Sequence, residues 1–120
     1  MLFNVDKCSV LRLSYNNKEY DYKLGCDVIR CSATEKDLGV VIDRSGKSSE
    51  QCILAASKAN TVLGMIKRNI SFKSKYVIVR LYKALVRQKL EFCVQAWCSY
   101  LRKDLAIIER VQRRATKLIE

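Results

Sequence analysis

The chain has 120 residues, of which 49% are hydrophobic and 29% charged. This composition fits one small folded domain, or part of a larger one, and does not fit a disordered chain. No apolar run approaches the roughly 18 residues of a membrane span. The first six residues have no basic region and no apolar core, so we expect no secretory signal and an intracellular protein, in the nucleus or cytoplasm.

The net charge of +11 is unevenly distributed along the chain. Residues 1–46 contain seven Lys or Arg and seven Asp or Glu, whereas residues 47–120 contain sixteen and five. A basic half beside a neutral half predicts a polyanionic partner. Nucleic acid is the favoured polyanion, ahead of an anionic membrane surface.

Six cysteines and no histidine limit the possible chemistry. The lack of histidine excludes Ser-His-Asp and Cys-His nucleophile systems. Two C-x4-C pairs, Cys26 with Cys31 and Cys93 with Cys98, make a four-cysteine zinc site conceivable. However, Cys93 and Cys98 fall on one predicted helix, about 140° apart around its axis. Buried thiols that pack as small apolar side chains are therefore the favoured interpretation.

The acidic residues and glycines offer no further catalytic pattern. The carboxylates are scattered through predicted turns, without a pair that could hold two metal ions. The four glycines form neither a phosphate loop nor a dinucleotide fingerprint. We therefore expect no metal site on this chain and no self-contained enzyme.

The first part of the chain, 1–46, predicts strands separated by turns. A β-rich run at 8–14 is followed by a turn signal and then by residues 20–24, which alternate with the period of a half-buried strand. A second turn precedes a short strand at Val28-Ile29. The clearest predicted strand spans residues 37–43.

The second part, 47–120, predicts three helices, because apolar residues recur at helical spacing. The predicted ranges are 48–68, 75–97 and 104–119. Ser48 with Gln51 forms a capping-box pattern, Ser74 can cap the second helix, and Asp104 can cap the third. Strands followed by helices predict an α+β fold with a small antiparallel sheet or hairpin and a three-helix bundle.

Basic stripes follow the polar faces of the last two predicted helices. The second helix carries Arg80, Lys83 and Arg87, and the third carries Arg110, Arg113, Arg114 and Lys117. Two such stripes on neighbouring helices could follow a phosphate backbone. A solvated helix surface is the alternative explanation.

Six runs, in chain order, cover nearly the whole sequence and carry a family resemblance. They are FNVDKC at 3–8, EKDLGV at 35–40, KANTVLGMIKR at 58–68, LYKALVR at 81–87, LEFCVQAW at 90–97 and the stretch 105–119. Together these runs resemble the C-terminal palm and thumb of non-LTR retrotransposon reverse transcriptases, of the LINE and jockey-like type. The resemblance implies a fragment of an RNA-directed DNA polymerase.

The resemblance implies roles for residues in the first part. Lys7 matches the family's palm lysine, which lies near the incoming nucleotide. Leu38, Gly39 and Val40 match the primer grip, a hairpin that holds the 3′ end of the primer. There Gly39 would let the backbone approach nucleic acid, and Leu38 and Val40 would pack beneath it. On sequence alone, a core strand with one glycine explains the same residues.

The three helices match the thumb, which lies along the template–primer duplex and contacts its phosphates with little sequence preference. The two basic stripes would then bind RNA/DNA template–primer. Trp97 and Phe92 are better explained as thumb core than as base-stacking platforms.

Departures from the family pattern define what the chain lacks. The aspartates that bind Mg²⁺ in the intact family enzyme are absent, as are the fingers, so this chain alone should be inactive and needs no cofactor. Gln88 stands where the family has proline, and Cys98-Ser99 where it has Ser-Pro. With an N–H at position 88, the second helix could run straighter.

Three hypotheses about function follow. The first is a non-catalytic remnant with a nucleic-acid-binding thumb, whose natural partners include the missing palm and fingers. The second is a protein-interaction module that self-associates or docks on another chain through exposed strand edges. The third is a retroelement-derived reading frame without a selected function.

Overall fold

The computed structural model describes residues 2–98 and 100–119, so Ser99 lies outside the described residues. The chain divides into two compact units, one ending at Ser48 and one beginning at Ser49. The first unit contains the strands and the second contains the helices. The predicted α+β fold is confirmed.

The first unit contains six short strands, which follow a 3-10 turn at Val5–Lys7. The strands are β1 (Ser9–Leu11), β2 (Lys23–Leu24), β3 (Asp27–Val28), β4 (Arg30–Ser32), β5 (Thr34–Asp37) and β6 (Val40–Asp43). They form three two-stranded sheets. The β2–β3 and β5–β6 pairs are antiparallel, as predicted, and the β1–β4 pair is parallel.

The predicted strand at 37–43 is wrong as a single strand, because the chain reverses direction within it. Leu38 and Gly39 both have positive φ, of 47° and 86°. They join β5 to β6 in a two-residue hairpin in which Asp37 pairs with Val40. Positive φ at both central residues is typical of a type I′ turn, whose twist matches that of the flanking strands.

Glu35 on β5 links three strands of the first unit through its carboxylate. The Ser32 hydroxyl of β4 donates a hydrogen bond to Glu35 Oε1 over 2.6 Å. The bond from Ser32 and a second from Ser9 of β1 lower the pKa of Glu35 from its ordinary value. Side-chain hydrogen bonds therefore supplement the short ladders of this unit.

The second unit is built on one long helix, α1 (Ser49–Asn69). The shorter elements are α2 (Lys75–Leu81), a π-helical turn (Tyr82–Val86), α3 (Arg87–Glu91), α4 (Val94–Trp97) and α5 (Arg102–Thr116). No helix within residues 2–98 and 100–119 combines the length and the apolar character needed to cross a bilayer.

The predicted apolar stripe of the first helix is confirmed, since all its members are buried or half-buried. They are Cys52, Ala55, Ala56, Ala59, Val62, Leu63 and Ile66. The core cluster joins this stripe to Ile78, Val86, Leu90, Val111 and Ala115. Small side chains on α1 and α5 let the two helix backbones approach closely, so one well-packed core holds α1, the π turn, α3 and α5 together.

The second predicted helix, 75–97, is wrong as a continuous helix. The Arg87 N–H bonds to the Tyr82 carbonyl five residues earlier, which defines the π turn. Cys93 then adopts a left-handed conformation with φ of 51° and separates α3 from α4. The start of this segment is as predicted, because the Ser74 hydroxyl accepts a hydrogen bond from the Val77 N–H.

The break at Cys93 separates the two aromatic residues that were assigned to the core. Trp97 is buried, as predicted, and its indole Nε1 donates to the Phe92 carbonyl over 2.6 Å. Phe92 itself is 51% exposed, so its assignment to the core is wrong. The helical spacing that predicted its burial does not continue through the break.

Asp104 does not cap the third helix, because α5 already begins at Arg102 after Leu101. Asp104 is instead a buried residue of the first turn. Its Oδ2 accepts a hydrogen bond from the Ser49 hydroxyl over 2.8 Å. This contact joins the first turns of α1 and α5, where a negative charge is also favoured by the helix dipoles.

We expect Asp104→Ala to lower the free energy of unfolding by about 2 kcal/mol, because it leaves a partly buried hydroxyl without its charged acceptor. A double-mutant cycle with Ser49→Ala should give a coupling energy of about 1 kcal/mol. Urea denaturation followed by circular dichroism measures both quantities. Glu50→Ala, at an exposed position in the same turn, is the matched control. Additive effects of the two substitutions would contradict the proposed link.

Candidate nucleic-acid interface

A cationic groove runs between α1 and α5. It consists of two adjoining depressions that share Asn60 of α1, Arg114 of α5 and Lys117, the residue that follows α5. One depression is also lined by Gly64 and Lys67 of α1, and the other by Arg110 and Arg113 of α5. Leu63, Ile107 and Leu118 provide apolar surface beneath these polar groups. The structure therefore brings all four predicted cations of the third helix together, and it adds a fifth from α1.

Most of the groove cations remain available to solvent. Arg114 Nη1 donates to Asn60 Oδ1 over 3.3 Å, which fixes its guanidinium across the groove. Arg113 Nη2 lies 3.5 Å from Glu109 Oε2, but both side chains are largely exposed, at 76% and 60%. An exposed pair of this kind contributes little stability, so a phosphate can compete with Glu109 for Arg113.

Lys67 is the groove residue that sequence reasoning missed. Asn60, Gly64 and Lys67 are spaced four and three residues apart, so they share one face of α1. That spacing was a usable signal, but nothing in one sequence indicates that this face borders the basic face of α5. The pairing of the two faces follows from tertiary packing.

Gly64 keeps the middle of the groove open. A Cβ built at Gly64 would meet no atom within 4 Å, so no packing requirement explains a glycine here. Glycine in a helix interior costs about 1 kcal/mol relative to alanine. The missing side chain widens the groove where Lys67 and Lys117 face it.

The second predicted stripe does not join this groove. Lys83 and Arg87 line a different cleft, against Gln112 and Thr116 of α5. Arg80 stands apart from both, with its guanidinium carbon 4.7 Å from the centre of the Tyr76 ring. The two stripes therefore border separate depressions, and the α1–α5 groove is the stronger candidate interface.

Arg87 also forms an ion pair within its own helix. Its Nε lies 2.8 Å from Glu91 Oε1, one helical turn away. This contact raises the pKa of Arg87, so the guanidinium remains charged but partly neutralised by its partner. The π turn breaks the three- and four-residue spacing on which the predicted stripe depended.

The predicted primer-grip residues occupy the tip of the β5–β6 hairpin. Val40 is buried, but Leu38 is 87% exposed. The expectation that Leu38 packs beneath Gly39 is wrong, because Leu38 lies in the two-residue turn at the hairpin tip, where its side chain is exposed to solvent. Lys7 is exposed at the end of the 3-10 turn. The Asn4 side chain caps this turn by accepting a hydrogen bond from the Asp6 N–H.

The cysteines do not behave as a buried set. Cys52 is buried and Cys8 is half-buried, but the other four are exposed, so the favoured interpretation of buried thiols is wrong for them. The exposed thiols are Cys26, Cys31, Cys93 and Cys98. Among residues 2–98 and 100–119, no three Cys, Asp or Glu side chains are grouped as metal ligands. The zinc alternative therefore gains no geometric support.

We expect Leu38→Asn to raise the free energy of unfolding by about 1 kcal/mol. A leucine is strained in the left-handed conformation, whereas asparagine adopts it more readily. Asn-Gly is the favoured pair for a type I′ turn. Chemical denaturation of the full chain measures the change. Leu13→Asn is the matched control, since Leu13 is also exposed but lacks a positive φ. Equal effects of both substitutions would show that removal of apolar surface, and not turn strain, is responsible.

Comparisons with known proteins identify no relative of this chain. No protein-family model matches the chain, and neither the curated proteins nor the solved structures include a significant match. The resemblance to reverse transcriptases therefore rests on the sequence runs described above.

Proposed function

We propose that the chain is a non-catalytic palm and thumb piece of a non-LTR retrotransposon reverse transcriptase, working in the nucleus or cytoplasm. Its helical unit binds an RNA/DNA template–primer duplex along the α1–α5 groove. The observation that carries the proposal is the convergence of Lys67, Arg110, Arg113, Arg114 and Lys117 on one groove.

The charge pattern of the helical unit supports a polyanionic ligand. Residues 51–90 contain nine Lys or Arg and no Asp or Glu. The groove cations lie on or directly after two helices that pack against each other, so their backbone positions are set by the helical core. Binding of this type neutralises phosphates, releases their counterions and reads no base sequence.

The first unit contributes the second part of the proposal. An exposed Leu38 beside Gly39 offers a small apolar tip that can rest on a primer sugar or base. Lys7 would approach an incoming nucleotide only in a parent enzyme that supplies the catalytic aspartates. On its own the chain binds nucleic acid and does not polymerise.

We expect the full chain to bind an RNA–DNA hybrid of any sequence, with log K falling against log salt at a slope of about −4 to −5 if about five phosphates are neutralised. Fluorescence anisotropy with a labelled hybrid at several salt concentrations measures this slope. Replacing Arg110, Arg113 and Arg114 by Glu should weaken binding about 100-fold and flatten the slope.

A control for net charge replaces three exposed lysines outside the groove by Glu. Lys58, Lys89 and Lys103 suit this purpose, because all are exposed and none lines the groove. A steric variant, Gly64→Leu, narrows the groove while favouring the helix. Equal losses in the groove variant and the lysine control, or unchanged affinity in the groove variant, would overturn the proposal.

A second candidate function is a protein-interaction module, and one observation favours it. Val40 is the one buried residue within the described range 2–48. Nine large apolar side chains of this unit are exposed: Leu2, Phe3, Leu13, Tyr15, Tyr20, Tyr22, Val28, Leu38 and Ile42. Light scattering of the purified chain, with and without hybrid, separates the candidates, because self-association without nucleic acid supports the module.

A further inference from the structure

A second concave site, which we call the π cleft, lies against a different face of α5 from the cationic groove. Its volume is about 380 Å³. The floor is apolar, with Ile78, Val79, Ala115 and Ile119. The polar side chains around it are those of Tyr82, Lys83, Arg87, Glu91, Gln112 and Thr116. Small-molecule sites have similar volumes, roughly 300–1,000 Å³, and a similar mixture of apolar surface and a few polar groups.

The π turn creates one wall of this cleft. Residues five apart on an α-helix point about 140° away from each other. In the π turn the Arg87 N–H bonds to the Tyr82 carbonyl, so these two residues stack on the same side. Both line the cleft as a result. Single π turns inside helices are frequent at functional sites, because they aim side chains that a regular helix would separate.

Two polar groups, from Tyr82 and Gln112, lie next to each other in the cleft. Burial raises the pKa of Tyr82 from its ordinary value. The Gln112 side chain of α5 lies close enough to the Tyr82 hydroxyl to act as its hydrogen-bonding neighbour, which lowers the pKa of Tyr82 by a smaller amount. A tyrosine ring with a placed amide beside it can contact the face of a flat ring and hydrogen-bond to its edge.

The charge at the rim favours an anionic ligand. Arg87 is paired with Glu91, and those two charges offset each other. Lys83 is exposed at the rim and leaves the lining with a net positive charge. An apolar floor with a single excess cation complements a ligand that has a flat ring at one end and a negative group at the other.

We propose that the π cleft binds a small aromatic anion of nucleoside-monophosphate size, with the ring on the apolar floor beside Tyr82 and the phosphate at Lys83. This inference is independent of duplex binding in the α1–α5 groove. It gives Lys83, which does not line the groove, the role of contacting the phosphate, and it gives the π turn the role of forming the ligand site.

The test titrates the full, ¹⁵N-labelled chain with AMP and records amide chemical shifts. We expect shifts confined to the cleft lining, with a dissociation constant on the order of 1 mM or tighter. Adenosine, which lacks the phosphate, and ribose 5-phosphate, which lacks the ring, should each bind about tenfold more weakly. Equal affinities for AMP and ribose 5-phosphate would show that the ring contributes nothing and that charge attraction alone accounts for binding, which would overturn the proposal.

Variants make the result specific. Lys83→Glu should weaken AMP binding about tenfold or more, and Thr116→Trp, at an exposed position on the cleft wall, should abolish it. Lys89→Glu makes the same charge change outside the cleft and should leave binding unchanged. The dispersion of the amide spectrum verifies that each variant is folded. AMP-induced amide shifts that are unchanged by Lys83→Glu, or that extend over the residues of the cationic groove, would overturn the proposal.

The two proposals fail separately. The Arg110, Arg113 and Arg114 substitutions should leave the AMP shifts intact while they weaken hybrid binding about 100-fold. Loss of AMP binding in those variants would place the ligand in the groove and contradict a separate cleft.

Discussion

The close packing of α1 against α5 is the constraint on which the helical unit depends. Ala56 and Ala59 of α1 and Ala115 of α5 lie in one buried cluster, and α1 and α5 contact each other more extensively than any other pair of elements. The buried carboxylate of Asp104, bonded to Ser49, joins the same two helices at their first turns. Larger residues in this seam would separate the helices and with them the two walls of the cationic groove.

Packing of this kind gives α5 two distinct surfaces. One side presents cations to the groove shared with α1, and another presents Gln112 and Thr116 to the cleft shared with the π turn. Because α5 packs through its buried seam, the backbone beneath both surfaces is held by the helical core. Preorganised surfaces bind with a smaller loss of conformational entropy.

The helical part of the fold was accessible from the sequence where periodicity was unbroken. The apolar stripe of α1 and the cations Arg110, Arg113 and Arg114 of α5 lie on uninterrupted helices, with Lys117 directly after α5, so their spacing predicted correctly that each set shares one face. The same reasoning failed at Phe92, because the left-handed residue Cys93 ends the helix on which its burial was expected. A single sequence does not indicate which residue adopts the left-handed conformation when that residue is neither glycine nor asparagine.

Two further features could not be read from spacing. The straighter second helix implied by Gln88 did not appear, since the π turn interrupts the hydrogen-bond ladder just before that residue. The residue pattern alone predicts one strand across β5 and β6, because a leucine at the first turn position is an unusual choice for positive φ, whereas the family resemblance implies a hairpin there. Lys67 joined the site only through the pairing of two helices that lie far apart in sequence.

The most direct test of the account is to map where a duplex touches the protein. Amide and side-chain NMR shifts of the full chain would be recorded on addition of a short RNA–DNA hybrid. If the duplex lies in the groove, the largest shifts will occur at Asn60, Gly64, Lys67, Arg110, Arg114 and Lys117. Shifts centred on Arg80, Lys83 and Arg87, or scattered without a continuous surface, would contradict duplex binding in the groove.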